Sequence, residues 1–344
     1  MLFYHPSPPL GLDPLLLLLG AMLIDALFGE MPALFRRVPH PVVLVGRAIL
    51  FLDHRLNRPS RSEEARRTRG TVTTILMIGA ALFAGRFIDS WSRSLPLGFL
   101  IELFFVAVLL AQRSLFQHVA AVAGGLEHKG LAGGREAVGL IVGRDPKSLD
   151  SHGVARAAIE SLAENFSDGV VAPVFWYVLF GLPGIFAYKT ANTLDSMIGH
   201  LTPQHAAFGR TAAKLDDVLN FVPARLSALL IAAAAAFVPK GSPGGALRIA
   251  RRDAAKHASP NAGWPESAMA GALSLALLGP RRIDGETVLS PWLGDGKAKA
   301  TPADIRRALQ LFIIACLLTG LAVAVLYFLR PGSHSILQGP SNWM

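Results

Sequence analysis

The 344-residue sequence contains one cysteine, Cys316, and it sits inside an apolar run. A disulfide framework is therefore excluded, and so is any metal or iron–sulfur site built from several thiolates. A bound metal has to be held by oxygen or imidazole ligands. Charge is also scarce, at 17% of residues against about 25% in ordinary soluble chains. Length alone would permit two or three soluble domains, but so little charge cannot coat them. Generic catalytic signatures are missing as well: there is no G-x-x-x-x-G-K-[ST] phosphate loop, no H-E-x-x-H zinc helix and no nucleophile-elbow serine. Internal repeats are absent too, since the Val-Gly-Arg of 45–47 returns only once, at 142–144.

What fills the chain is apolar: 52% of residues are hydrophobic and the mean hydropathy is +0.43. The reading is an all-α, polytopic helical membrane protein, one domain over 1–344, with about five to six membrane-embedded helices. Apolar runs at 71–88, 95–111, 221–238 and 309–329 are long enough to be embedded in a core of roughly 30 Å, and the last carries no charge. The run at 10–28 reads as a retained helix rather than a signal peptide, because no basic residues precede it and no small-residue cleavage site follows. Its Asp13 and Asp25 should face protein or water. The run at 170–188 is broken by Pro173, Gly181, Pro183 and Gly184. Such breaks are tolerated at membrane depth only where protein or a cavity satisfies the freed backbone, so this segment should not be a simple rod. Residues 268–278 are too short to cross and read as a buried or re-entrant piece.

Lys and Arg outnumber Asp and Glu by 33 to 24, giving a net charge of +9. That balance suits anionic lipid or anionic substrates; nucleic acid fits poorly, because no soluble basic domain remains to hold it. Arginines crowd 55–69, and Lys and Arg recur through 240–307. Both segments are expected on the cytoplasmic side of a bacterial inner membrane, which requires an even number of crossings between them.

Four polar blocks interrupt the apolar pattern. The first runs from His40-Pro41 to Gly46-Arg47. The second holds Arg156, Glu160, Glu164 and Asp168 at four-residue spacing, one slowly drifting helix stripe. Three carboxylates on a stripe can hold a divalent cation; the alternative is a solvated face on which Arg156 pairs with Glu160. In the third, Lys189, Asn192 and Asp195 share a face at three-residue spacing: Lys donates to phosphate, Asn orients, and Asp ligates metal or takes a proton. Arg210, Lys214 and Asp217 follow at helical spacing, and Asp216 faces Asn220. Intramolecular salt bridging is the structural alternative, but adjacent Asp216 and Asp217 repel unless a cation or Arg225 compensates. The fourth block, 253–266, offers Lys256 and His257 as donors around the turn Ser259-Pro260-Asn261, closed by Trp264 and Glu266.

Taken together the blocks resemble the cobalamin-biosynthesis CbiB/CobD family, the adenosylcobinamide-phosphate synthases. The likeness rests on His40-Pro41-Val42 with Gly46-Arg47, on Val142-Gly143-Arg144-Asp145, on ESLAENFSDGVVAP at 160–173 and on AYKTANTLDSMIG at 187–199. Asp216-Asp217 with Asn220, Pro223-Ala224-Arg225-Leu226, HASPNAGWPE at 257–266 and Ala270-Gly271-Ala272-Leu273 extend it, so that it covers 40–294. One departure is Gly29-Glu30-Met31-Pro32, where the family usually has Gly-Asp-Pro. The resemblance implies ATP-dependent amide ligation of adenosylcobyric acid to aminopropanol phosphate, or a related amino alcohol phosphate, with magnesium. It also implies contact with membrane lipid and with other membrane-bound late cobalamin enzymes. Such chemistry needs carboxylates that hold metal, cations around phosphate and a base for the ammonium. The candidates are Glu160, Glu164, Asp195 and His257 for catalysis and Arg144, Lys189, Asn192, Arg225, Lys256 and Asn261 for binding. Asp195, Asp216 and Asp217 are the candidates for metal. A transporter of a corrinoid or another small anion is the competing class, because broken apolar segments with intramembrane charge also mark substrate pathways.

Overall fold

A computed structural model describes residues 12–29, 31, 35–143, 145–283 and 286–330. Its helices, in chain order, are α1 (Pro14–Phe28), α2 (Pro41–Leu56), α3 (Glu63–Arg93), α4 (Phe99–Leu109), α5 (Gln112–His128), α6 (Gly130–Val138), α7 (Ser151–Phe166), α8 (Ala172–Ile198), α9 (Arg210–Ala234), α10 (Pro243–Asp253), α11 (Gly263–Leu273) and α12 (Pro302–Leu329). Two short antiparallel ribbons lie between α11 and α12, β1 (Leu277–Leu278) with β4 (Trp292–Leu293) and β2 (Arg281–Ile283) with β3 (Glu286–Val288). The all-α membrane reading holds. Among the described residues, five helical stretches are long and apolar enough to cross a membrane: Glu63–Arg93, Phe99–His128, Ser151–Ile198, Arg210–Phe237 and Pro302–Leu329. The shorter α1 is a sixth apolar helix.

Local chemistry sets the helix starts. Asp13 caps α1 by accepting from the Leu15 amide at 2.8 Å, His40 caps α2 through Nδ1, and each cap is followed by proline at the first helical position. Thr301 and Asp304 form a capping box on α12, again with proline at its start. The expected span 95–111 proves longer. The chain breaks at Leu110, which is extended, and then continues as α5 because the Gln112 amide is taken up by Asp25 Oδ2 at 2.7 Å. Asp25 is thus turned toward protein, as a carboxylate at membrane depth requires.

The decisive feature is the passage from α7 through α8. In a straight helix, residues 168 and 188 would stand about 30 Å apart. Here the Tyr188 hydroxyl lies 3.2 Å from the Asp168 main-chain oxygen, and the Asn192 amide donates to Asp168 Oδ2 at 3.3 Å. The chain has therefore reversed. The turn is at Gly181, whose φ of 65° and ψ of −148° suit glycine alone, with Pro183 just beyond it. Gly85 of α3 makes room for the turn, since a Cβ there would fall 2.7 Å from Pro183 Cα. The expectation that 170–188 is no simple rod is met, and the reversal brings the third polar block back against the second.

One buried core joins α5, α7, α9, α10, α11 and the first half of α12. A second joins α1, α4, both arms of α8 and the far end of α12. The piece at 268–278 belongs to the first core as the end of α11 and strand β1, buried as expected.

Candidate active site

Near its C-terminal end α7 carries two acids. Glu160 is buried and its Oε1 accepts from the Leu278 amide at 2.9 Å; Glu164 is exposed. Both line a cavity of about 270 Å³ whose wall also includes Gly143, Ser161, His257 and Glu266. Three polar segments distant in the chain, around 143, 160–164 and 257–266, meet there. His257 Nδ1 lies 3.0 Å from the Ser259 amide nitrogen and 3.3 Å from the Ser259 oxygen, so backbone fixes that side of the ring, and Nε2 lies 3.7 Å from Glu266 Oε1. A histidine whose other nitrogen is fixed by backbone, and which faces a buried carboxylate, has the constellation of an oriented general base.

The loop that presents His257 is pinned on two sides. Asn261 donates to the Asp217 main-chain oxygen at 2.8 Å and accepts from Arg225 at 3.1 Å, while the Arg225 guanidinium lies over Phe221 and Trp264. On the other side Asp253, with no exposed surface, accepts from Arg252, from Lys256 and from the Gly294 amide. The Arg252 hydrogen bonds, joined by those of Lys256 and Gly294, hold the Asp253 carboxyl well below the usual carboxylate range against a burial that acts the other way. Lys256 is thus bound to Asp253 at 2.6 Å and does not line the cavity.

Immediately after α7 the backbone widens into a π turn over Ser167–Val171. Such turns shift every later side chain around the axis and recur at functional sites. Asp168 lies in this turn and leaves the Glu160 stripe for a second centre. There it shares the Asn192 amide with Asp216 Oδ1, at 3.3 and 3.4 Å. Asn220 donates to Asp216 Oδ2 at 2.9 Å and accepts from the Tyr188 hydroxyl at 2.9 Å, so the anticipated facing of Asp216 and Asn220 is formed. Lys189 stands in the field of Asp168, Asp216 and Asp25.

Several expectations need correction. The three carboxylates of the second block do not share one site, because the π turn sends Asp168 elsewhere. Arg156 does not pair with Glu160; it donates to the Ala298 oxygen at 2.7 Å and lies over Trp292. Arg225 does not compensate Asp217, because its hydrogen bonds go to the Phe221 oxygen and Asn261. Among the candidates for metal, Asp216 is buried and faces Asn192 and Asn220, Asp217 is half-buried, and Asp195 acts on Asp216 only through its field. Among the described residues no three His, Cys, Asp or Glu side chains converge as a ready metal cluster. Arg144 and Glu30 lie outside the described residues. Glu266, and Asp168 as a partner of Asp216 rather than of Glu160, take places that sequence reasoning had not given them. The only signal was their position inside polar blocks already singled out.

The family model described as CobD/Cbib protein matches residues 18–312. A relative from Sinorhizobium sp, named cobalamin biosynthesis protein CobD, is 52% identical over 316 residues, covering 90% of this chain and 98% of its own. Relatives of the same name from Brucella suis biovar 1 (51% over 315 residues, 90% of this chain and 96% of theirs) and Rhodobacter capsulatus (44% over 289 residues, 84% and 90%) agree. No solved structure matches the chain. A match over most of the length, joined to relatives at about half identity, shows that the chain belongs to the CobD/Cbib family.

Proposed function

We propose that the protein acts in cobalamin biosynthesis as an ATP-dependent amide ligase, joining the propionate carboxylate of adenosylcobyric acid to the amine of aminopropanol phosphate or a related amino alcohol phosphate. Relatives named for cobalamin biosynthesis support the pathway. The observation that carries the reaction class is the convergence of Glu160, Glu164, His257 and Glu266 on one cavity. Amide formation requires an amine that has lost its ammonium proton. With its own proton on Nδ1, donated to the Ser259 oxygen, the neutral His257 ring accepts that proton at Nε2, and Glu266 stabilises the resulting imidazolium. Glu160, fixed by the Leu278 amide, sets a carboxylate in the same cavity wall.

The second centre fits magnesium. Magnesium commonly takes one or two protein carboxylates and completes its shell with water and substrate phosphate. Asp168 and Asp216 offer two carboxylates steadied by Asn192 and Asn220, so a three-ligand cluster is not needed. When bound there, magnesium supplies charge screening for phosphate. The basic segments at 55–69 and 240–307 support, under the loop-charge rule, a cytoplasmic side for both segments in an inner membrane, and His257 lies within the second. Detergent-purified protein, incubated with ATP, magnesium, adenosylcobyric acid and aminopropanol phosphate, is expected to yield a corrinoid heavier by the amino alcohol phosphate less one water. Uptake of corrinoid into sealed vesicles with no such product would favour the transport reading instead.

A further inference from the structure

A groove of about 550 Å³ lies between the C-terminal third of α3 and the turn of α8. Leu82, Trp176, Phe180, Leu182 and Leu219 give it apolar walls, and Arg86, Asp89 and Arg93 supply its charge. Trp176 stacks on Phe180 with ring centroids 5.8 Å apart and donates through Nε1 to the Leu219 oxygen at 3.2 Å, which fixes that wall. The groove opens outward, because Leu82 and Phe180 are exposed, as are Phe83 and Phe87 beside them on α3. Exposed apolar surface of this kind on a helix long enough to cross a membrane faces lipid.

The charges sit where lipid headgroups belong. Along α3, Arg66, Arg67 and Arg69 are followed by the uncharged stretch 70–85 and only then by Arg86. At the helical rise, Arg86 stands about 25 Å and Arg93 about 36 Å along the axis from Arg69, distances that bracket a hydrocarbon core of about 30 Å. The two arginines share one carboxylate: buried Asp89 accepts from Arg86 at 2.8 Å and from Arg93 at 2.7 and 2.9 Å. Two guanidiniums against one acid leave this end of the groove positive. Glu102 of α4 is buried, accepts from the Tyr177 hydroxyl at 2.7 Å and does not line the groove. A small soluble anion would use the guanidiniums and leave the apolar walls bare, and a zwitterionic lipid would bring a cation of its own against them. An anionic phospholipid satisfies both, with its phosphate on the arginines and a chain along the walls.

We propose that this groove is a binding site for one anionic phospholipid, held by its phosphate at Arg86 and Arg93 and by an acyl chain against Leu82, Trp176 and Phe180. Both guanidiniums are needed, since with either removed the other is neutralised by Asp89 and the preference for an anionic headgroup disappears. Gly181 and Pro183 belong to the same wall, so the bound chain packs on the reversal that returns Asn192 to Asp168. The lipid is thereby a brace for the turn of α8, whatever reaction the protein carries out.

The test titrates phosphatidylglycerol or phosphatidylcholine, each with brominated acyl chains, into the full-length protein in detergent and follows quenching of tryptophan fluorescence. The part of the quenching lost in Trp176→Phe reports the groove. For that part, half-maximal quenching is expected at a phosphatidylglycerol concentration about fivefold or more below that for phosphatidylcholine, the discrimination that one net charge gives at a membrane surface. Arg86→Gln and Arg93→Gln should each bring the two lipids within about twofold, whereas Arg86→Lys should keep most of the preference. Leu82→Trp, which fills the groove and leaves both arginines, should abolish the Trp176 quenching. Native mass spectrometry of the same samples should show one phosphatidylglycerol retained per wild-type chain and none in Leu82→Trp. Each variant is first shown to elute and melt like wild type; the headgroup comparison in wild type decides even where one does not. Equal quenching by the two lipids in wild type overturns the proposal, as does an unchanged preference in both Arg86→Gln and Arg93→Gln. Displacement of the lipid by adenosylcobyric acid would assign the groove to the corrinoid, and a dimer that Leu82→Trp dissociates would assign it to a second copy of the chain; either result also overturns it.

Discussion

At the scale of single residues the account depends on His257 and on what holds it in place. His257→Ala should lower kcat of ligation by about 100-fold or more, because general-base contributions lie in that range. The KM for ATP should stay near wild type, since the nucleotide is assigned elsewhere; a proportional rise in that KM would place His257 on the phosphates. Asp253 gives a prediction for stability rather than chemistry. Its folded carboxyl titrates below its unfolded value, chiefly through Arg252. The stabilisation is therefore complete above the unfolded carboxylate value, about 4, and is lost as pH falls through the lower folded value. Asp253→Asn keeps the shape but removes the charge, and should cost about 1–3 kcal/mol near neutral pH. Thermal melts in detergent check this: below about pH 4 the gap between variant and wild type should narrow.

At the scale of elements, the reversal at Gly181 and the π turn at Ser167–Val171 build the second centre. Gly181→Ala forces a Cβ into a backbone region that only glycine occupies at low cost, about 1–3 kcal/mol of strain. It should lower thermal stability and raise the KM for ATP in ligation, because moving the second arm of α8 moves Lys189 and Asn192 away from Asp168. An unchanged KM for ATP in a destabilised Gly181→Ala protein would separate the turn from the site. This is also where the sequence was least legible. Apolar runs announced the embedded helices, and the Pro and Gly residues announced a break near 181, because both are local properties. The polar blocks were legible as candidates for the same reason. What could not be read was which blocks would touch. The meeting of Asp168 with Asn192 and Asp216 depends on one wide turn and one reversal, and residue spacing along an assumed straight helix put Asp168 with Glu160 instead. The pairing of Lys256 was hidden for a related reason: nothing in its neighbourhood shows that Asp253, three residues earlier, becomes fully buried and takes the ammonium.

At the scale of the whole molecule, the protein holds two polar clusters, the candidate centres, in a helical body belonging to the CobD/Cbib family. The proposed sidedness rests on the basic segments and is open to direct labelling. With Cys316 replaced by alanine, a cysteine introduced at exposed Ala258 should react with a membrane-impermeant thiol reagent in inverted vesicles and not in right-side-out ones. Labelling from the outside would reverse the orientation and separate the site from cytoplasmic ATP. The central claim, that ATP activates a corrinoid carboxylate for attack by an amine, is tested most directly by oxygen tracing. Adenosylcobyric acid carrying ¹⁸O in its free propionate carboxylate is incubated with the purified protein, magnesium, ATP and aminopropanol phosphate, and the released inorganic phosphate is weighed by mass spectrometry. Activation as an acyl phosphate transfers one ¹⁸O to phosphate for each amide formed; amide formation that leaves all of the released phosphate unlabelled, or no amide at all, would contradict the account.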